Sequence, residues 1–174
     1  EKLLAVIKRH PFGIIKLYAQ MIIGLGAIAG LVYFLLPEFL SPDSNSSLYS
    51  MVGMVVVVLG AIMVVIAFIA TVIYNQNQLV VTDKTITQTL QASLFSKKVS
   101  QLAVSNIEDV TADTNGFFQT ILNYGKLLVE TAGVQENFHF DYCPHADHYA
   151  KLILETRQAF LSTREMERHE AGER

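Results

Sequence analysis

The sequence predicts an α+β membrane protein in which two spanning helices precede a small antiparallel β domain that one helix closes. Three observations carry the prediction. Two long apolar stretches, Phe12 to Leu36 and Met51 to Ile73, fill most of the first 75 residues. Short runs of strand type follow from Asn75 onward, separated by turn residues. Beyond Pro144 the apolar spacing changes to that of an amphipathic helix. The expected boundaries are a membrane hairpin over 1–74, with spans at about 12–36 and 51–73, a β domain over 75–161 and a charged tail over 162–174.

Each apolar stretch is long enough, at about 1.5 Å per residue, to cross a hydrocarbon core of roughly 30 Å. The first exceeds the roughly 7 to 15 residues of a cleavable signal's apolar region and no A-x-A site follows it, so it reads as a retained span. Lys2, Lys8, Arg9 and Lys16 lie before or just inside it, whereas the connector Pro37 to Ser47 has Glu38 and Asp43 and no Lys or Arg. That asymmetry places both termini in the cytoplasm, with Lys16 reaching back to the headgroups as an anchor. Two prolines and a Ser/Asn cluster in the connector end one helix and start the next.

Within the spans, Gly26 and Gly30 form a GxxxG pair, and Gly53, Gly60 and Ala67 recur every seven residues on one face of the second helix. Small residues at such spacings let helix backbones approach closely, so these positions are expected to pack the two helices of one chain together or to form a seam between copies. Neither span holds an Asp, Glu or His, which leaves a proton relay or ion filter without its residues.

Leu79 to Thr82 and Thr85 to Leu90, joined by Asp83-Lys84, read as a hairpin with one wet face. Further runs are Lys98 to Val104, Ile107 to Thr114, Leu127 to Thr131 and Gln135 to Phe140, with Asn115-Gly116, Tyr124-Gly125 and Ala132-Gly133 between them. An antiparallel meander of about six or seven strands results. Pro144 then stands where a helix tolerates proline, and Ala146, Tyr149, Ala150, Ile153 and Phe160 follow at helical spacings. The tail from Ser162 either prolongs that helix or hangs from it.

Composition narrows the function. The chain is 51% hydrophobic and 17% charged, with a net charge of −3, and so lacks the basic surplus of a nucleic-acid binder. A single cysteine, Cys143, makes no internal disulfide. Walker, GxGxxG, HExxH and GxSxG motifs are absent, and neither a catalytic set nor a cofactor is expected.

Four segments carry a resemblance. The hairpin followed by "LVVTDKTITQTL", "VSNIEDVTADT", "ILNYGKLLVETAG" and a helix after a proline resembles the bacterial pleckstrin-homology (PH)-like membrane proteins, and "VIKRHPF", Val6 to Phe12, resembles the basic stretch before their first span. The resemblance implies a seven-stranded split barrel capped by a C-terminal helix and facing the cytoplasm at the bacterial inner membrane. It supplies no catalytic residues.

Three local features are candidates for function. Phe117, Phe118, Ile121 and Tyr124 form an apolar patch that is expected to seal one end of the barrel in large part, and otherwise to dock a partner or the bilayer. Lys84, Lys97 and Lys98 are the cations available to lipid headgroups, fewer than the Lys/Arg cluster of phosphoinositide-reading PH domains. His139, Asp141, Cys143, His145 and His148 offer metal-ligand chemistry within ten residues, in a spacing that fits no standard zinc motif. The leading expectation is a non-enzymatic, membrane-anchored adaptor or self-assembling scaffold that binds another protein or further copies of itself. The alternatives are a module that senses anionic lipid and a metal-binding domain that uses Cys143 and its histidines.

Overall fold

The computed structural model describes residues 1–39, 46–132 and 137–172. Two compact units emerge: Pro11–Val72 forms one, and Glu1–His10 with Ile73–Arg174 forms the other.

The helical unit is built on α1 (Phe12–Phe39) and α2 (Ser46–Gln76), whose last residues pass into the β unit. Both helices are long and apolar enough to cross a membrane, over Phe12–Phe34 and Ser50–Gln76. The helix does not stop at the first proline as expected, since α1 runs on through Pro37 to Phe39. Part of the connector, Asp43 included, lies outside the described residues.

The glycines do not mark the contact between the two helices of one chain. A Cβ built on Gly26, Gly30, Gly53 or Gly60 meets no atom within 4 Å, so these positions do not draw the two helices of one chain together. The inter-helix contact lies instead toward the other ends of the spans, where the Tyr18 hydroxyl is 2.5 Å from Thr71 Oγ1, which donates in turn to the Ala67 carbonyl.

In the β unit seven strands form two antiparallel sheets among the described residues. The first is ordered β1-β2-β3-β4 and comprises Leu3–Lys8, Gln78–Thr82, Thr85–Ser93 and Ser96–Ala103. The second is ordered β5-β6-β7 and comprises Ile107–Asp113, Tyr124–Thr131 and Phe138–Pro144. Among the described residues the two ladders remain separate and do not join into a closed barrel. The start of the last strand run, Gln135-Glu136, and Gly133 of the preceding turn lie outside the described residues.

The first strand is the main departure from the sequence reading, which gave residues 1–74 to the membrane hairpin. Ala5 and Ile7 alternate inward and pair with β2 from Leu3↔Thr82 to Lys8↔Gln78. The strand is short, and its lysines and following basic residues read as the cytoplasmic flank of a span, which masks its period of two.

One core joins both sheets. Ile7, Leu79, Val81, Ile86 and Leu102 from the first pack against Val110, Leu127, Val129, Phe138 and Phe140 from the second. Ala146, Ala150 and Ile153 of α4 (Ala146–Gly172) complete it. At roughly 25 cal/mol per Å² of apolar surface removed from water, this burial is the main source of the unit's stability. The sheets are also tied by a polar bond: Gln88, 3% exposed, donates from Nε2 to the His139 carbonyl at 2.6 Å. A buried amide is tolerated there because its hydrogen-bonding capacity is used. The charged tail prolongs α4 as far as Gly172.

Candidate functional site

The chain leaves the β unit at His10 and rejoins it at Ile73, and an aromatic cluster surrounds these two points. The His10 ring stacks on Tyr124 at 5.1 Å, Tyr124 stacks on Tyr142 at 5.6 Å, and Tyr142 meets Tyr74 edge-on at 6.1 Å. The Tyr74 hydroxyl donates to the His10 carbonyl at 2.6 Å, and the His10 N–H donates to the Tyr142 carbonyl at 2.6 Å. The Arg9 guanidinium lies over the rings of Tyr74 and Phe140. Four segments remote in sequence thus meet within the β unit, where the chain leaves it and returns.

The backbone around this cluster is unusual. Asn123, Tyr142 and His145 all take positive φ, at 52°, 55° and 47°. Such conformations cost of order 1–3 kcal/mol each and persist where the surroundings fix them. Here the His145 N–H donates to the Asn123 carbonyl at 2.9 Å, and the Asn123 side-chain amide lies 2.8 Å from His145 Nδ1. Gly125 passes so close to β5 that a Cβ on it would sit 2.6 Å from the Asp113 carbonyl oxygen.

Enclosure of the His10 ring, reinforced by the nearby His145, holds it below the ordinary histidine range. The folded unit therefore binds fewer protons here than the unfolded chain, whose histidine titrates at about 6.5. Thermal stability is expected to hold steady above that pH, to fall as the pH drops below it, and to level off once the pH is under the lowered folded value. His10→Gln should flatten this dependence below about pH 6.5 in a melting series.

The β unit also carries two apolar projections. The helix α3 (Phe117–Leu122) closes the β5–β6 connection, and none of its residues is buried. Phe117 is 74% exposed and Ile121 63%, so the patch does not seal one end of the sheets as expected. Gly116, at φ 134°, delivers the chain into α3 by a conformation that L side chains rarely adopt. The second projection, the β3–β4 turn, carries Phe95 at its tip with 99% of its surface exposed. The sequence signal for this tip is slight: two adjacent apolar residues, Leu94 and Phe95, in a turn flanked by Ser93 and Ser96.

A groove of about 700 Å³ opens elsewhere on the same unit. Leu4 of β1, the β2–β3 turn with Asp83 and Lys84, and one face of α4 with Leu152, Phe160 and Arg164 line it.

A family model described as "Bacterial PH domain" matches residues 15–157, most of the chain. The protein belongs to the bacterial PH domain family. No curated protein and no solved structure matches it. PH-like domains serve in general as binding modules for lipids or proteins, and the match includes the apolar helices as well as most of the β unit.

In this bacterial PH domain protein the three candidate lysines do not converge. Lys84 lies in the β2–β3 turn, whereas Lys97 and Lys98 open β4 at the opposite end of β3, next to the Phe95 tip. Tyr124 belongs to the buried cluster and is not part of the exposed α3 patch.

The Cys/His segment is likewise dispersed. Among the described residues no three His, Cys, Asp or Glu side chains come together as a metal would require. Cys143 is fully enclosed in the core, and burial pushes its thiol up to about 12. A thiol so placed is nearly all protonated at neutral pH and inert as a ligand or nucleophile. Iodoacetamide or a maleimide is expected to leave Cys143 unmodified in the native protein and to label it once the β unit is unfolded. Prompt native labelling, read by mass, would contradict the enclosure.

Proposed function

We propose that this protein is a non-enzymatic interaction module anchored in the bacterial cytoplasmic membrane, with both termini and the β unit on the cytoplasmic side, and that it acts as an adaptor for another protein. The orientation rests on Lys2, Lys8, Arg9 and Lys16 set against the acidic connector residues Glu38 and Asp43. The adaptor reading rests on the groove between β1 and α4.

That groove has the features of a docking site. β1 is the border strand of its sheet, and Leu4 and Val6 are exposed on it. Leu152 and Phe160 add apolar surface, while Lys84, Glu155, Arg164 and Glu167 give the rim charges of both signs. An apolar floor with a mixed polar rim suits a segment of protein, which gains area from the floor and register from the rim. A second copy of the chain is the scaffold version of the same reading.

Extraction from the native membrane in mild detergent, followed by mass measurement of the intact complex, tests it. A stoichiometric companion that is lost in Leu4→Asp, with the melting temperature of the chain unchanged, is the expected result. A monomer whose mass and composition do not respond to Leu4→Asp would overturn the adaptor reading.

A further inference from the structure

The register of the first sheet reveals at which end of the β unit its two chain connections to the helices lie. Lys8, where β1 stops before the chain enters α1, pairs with Gln78, where β2 starts just after α2. Gln78 pairs in turn with Thr89. Both connections to the apolar helices therefore leave from one end of the sheet.

At that end β3 and β4 do not stop. They continue to the pair Ser93↔Ser96, four residues beyond Thr89, which extends the hairpin by about 13 Å at roughly 3.3 Å per residue. Leu94 and Phe95 form its tip, and Lys97 and Lys98 follow after Ser96. Asn77, 3% exposed, braces the extension: its Oδ1 accepts from the Gln91 N–H at 2.8 Å, and its Nδ2 donates to the Ile73 carbonyl at 2.9 Å. One buried side chain thus fastens the hairpin to the last turn of α2.

The helix α3 occupies the same end. Asn123 terminates it, and Tyr124, the next residue, stacks on His10. Its exposed Phe117, Phe118 and Ile121 therefore stand, like Phe95, where the chain passes to the two apolar helices.

We infer that Leu94, Phe95, Phe117, Phe118 and Ile121 form a two-pronged footing that enters the interfacial layer of the bilayer, with Lys97 and Lys98 meeting anionic headgroups. Aromatic rings are at home in that layer, and lysines beside it gain from negative lipid. The footing would set which end of the β unit faces lipid, a task the two connections alone leave to torsion. It is independent of the partner groove, which lies by the β2–β3 turn at the far end of the sheet.

The absence of Trp from the chain makes the test direct. Phe95→Trp and Phe118→Trp are made singly in the full chain and reconstituted into vesicles of phosphatidylcholine and phosphatidylglycerol. Val57→Trp, within α2, serves as a bilayer control and Glu108→Trp, on the exposed face of β5, as an aqueous one. Emission at positions 95 and 118 should be lost to lipids brominated high on the acyl chain and protected from aqueous iodide. At position 95, Lys97→Glu/Lys98→Glu should weaken the lipid quenching. Three results would overturn the inference. Iodide quenching at 95 and 118, with bromolipid quenching at 57, leaves the helices in the bilayer but the footing outside it. Protection from both quenchers, varying with the protein-to-lipid ratio, assigns the surface to a second copy. Iodide quenching at all four positions removes the membrane reading itself.

Discussion

Gly125→Val is expected to be among the most damaging single changes in the β unit, lowering its stability by about 3 kcal/mol, the upper end of the usual range for overpacking. The first atom added would stand 2.6 Å from the Asp113 carbonyl oxygen, 2.9 Å from Thr114 Oγ1 and 3.2 Å from Ala146 Cβ. Two of these three neighbours cannot swing aside: one is backbone and the other is the buried first residue of α4. Either β5 moves away from β6 or α4 lifts from the core. For a domain of roughly 100 residues this corresponds to a melting shift of about 12 to 24 °C, measurable by circular dichroism in detergent. Gly125→Ala should show the same effect in smaller measure. A wild-type melting temperature in the valine variant would show that β5, β6 and α4 do not approach as described.

Phe140→Ala should cost about 3–5 kcal/mol. Phe140 is the bulkiest fully enclosed side chain of the core, on the inward face of β7, and the Arg9 guanidinium rests over its ring. Removing it opens a cavity beneath the aromatic cluster and takes away one of the two rings that hold Arg9. The informative contrast is Phe117→Ala, a chemically identical truncation at a ring 74% exposed, which should change stability by less than about 0.5 kcal/mol. The pair is read in one denaturation series. Equal losses at the two positions would mean that α3 is packed into the unit, and would remove the reason for treating it as a contact surface.

The same residues show how far sequence alone reaches. The apolar helices, the β2–β3 hairpin and the closing helix announce themselves through composition and period, because each buries a contiguous or regularly spaced apolar set. Strand β1 did not, since six residues beside a basic flank carry too little periodicity to stand out from the start of a span. The separation of the strands into two ladders depends on register between segments distant in the chain, which local patterning does not encode. The aromatic cluster was still less legible. His10, Tyr74, Tyr124 and Tyr142 come from four segments, and only the paired strands and the ends of the two helices bring them together. Phe117, Phe118 and Ile121 were visible as an apolar run, but whether such a run seals a core or projects from it is decided by the space around it. Lys84 was grouped with Lys97 and Lys98 by charge alone, and the nine-residue β3 sets them apart. The Cys/His segment shows the converse: adjacency in sequence suggested a ligand set that strand alternation and the buried thiol pull apart.

The groove reading can be tested in place by a photo-crosslinking side chain substituted for Phe160 in the full chain, with the protein left in its native membrane. The account predicts a discrete adduct with one protein, a foreign partner or a second copy, that disappears when Leu4→Asp is introduced on the opposite wall and is absent when the probe replaces Glu108 on the exposed face of β5. Equal labelling from both probe positions, or adducts at position 160 that survive Leu4→Asp, would contradict a protein-docking groove between β1 and α4.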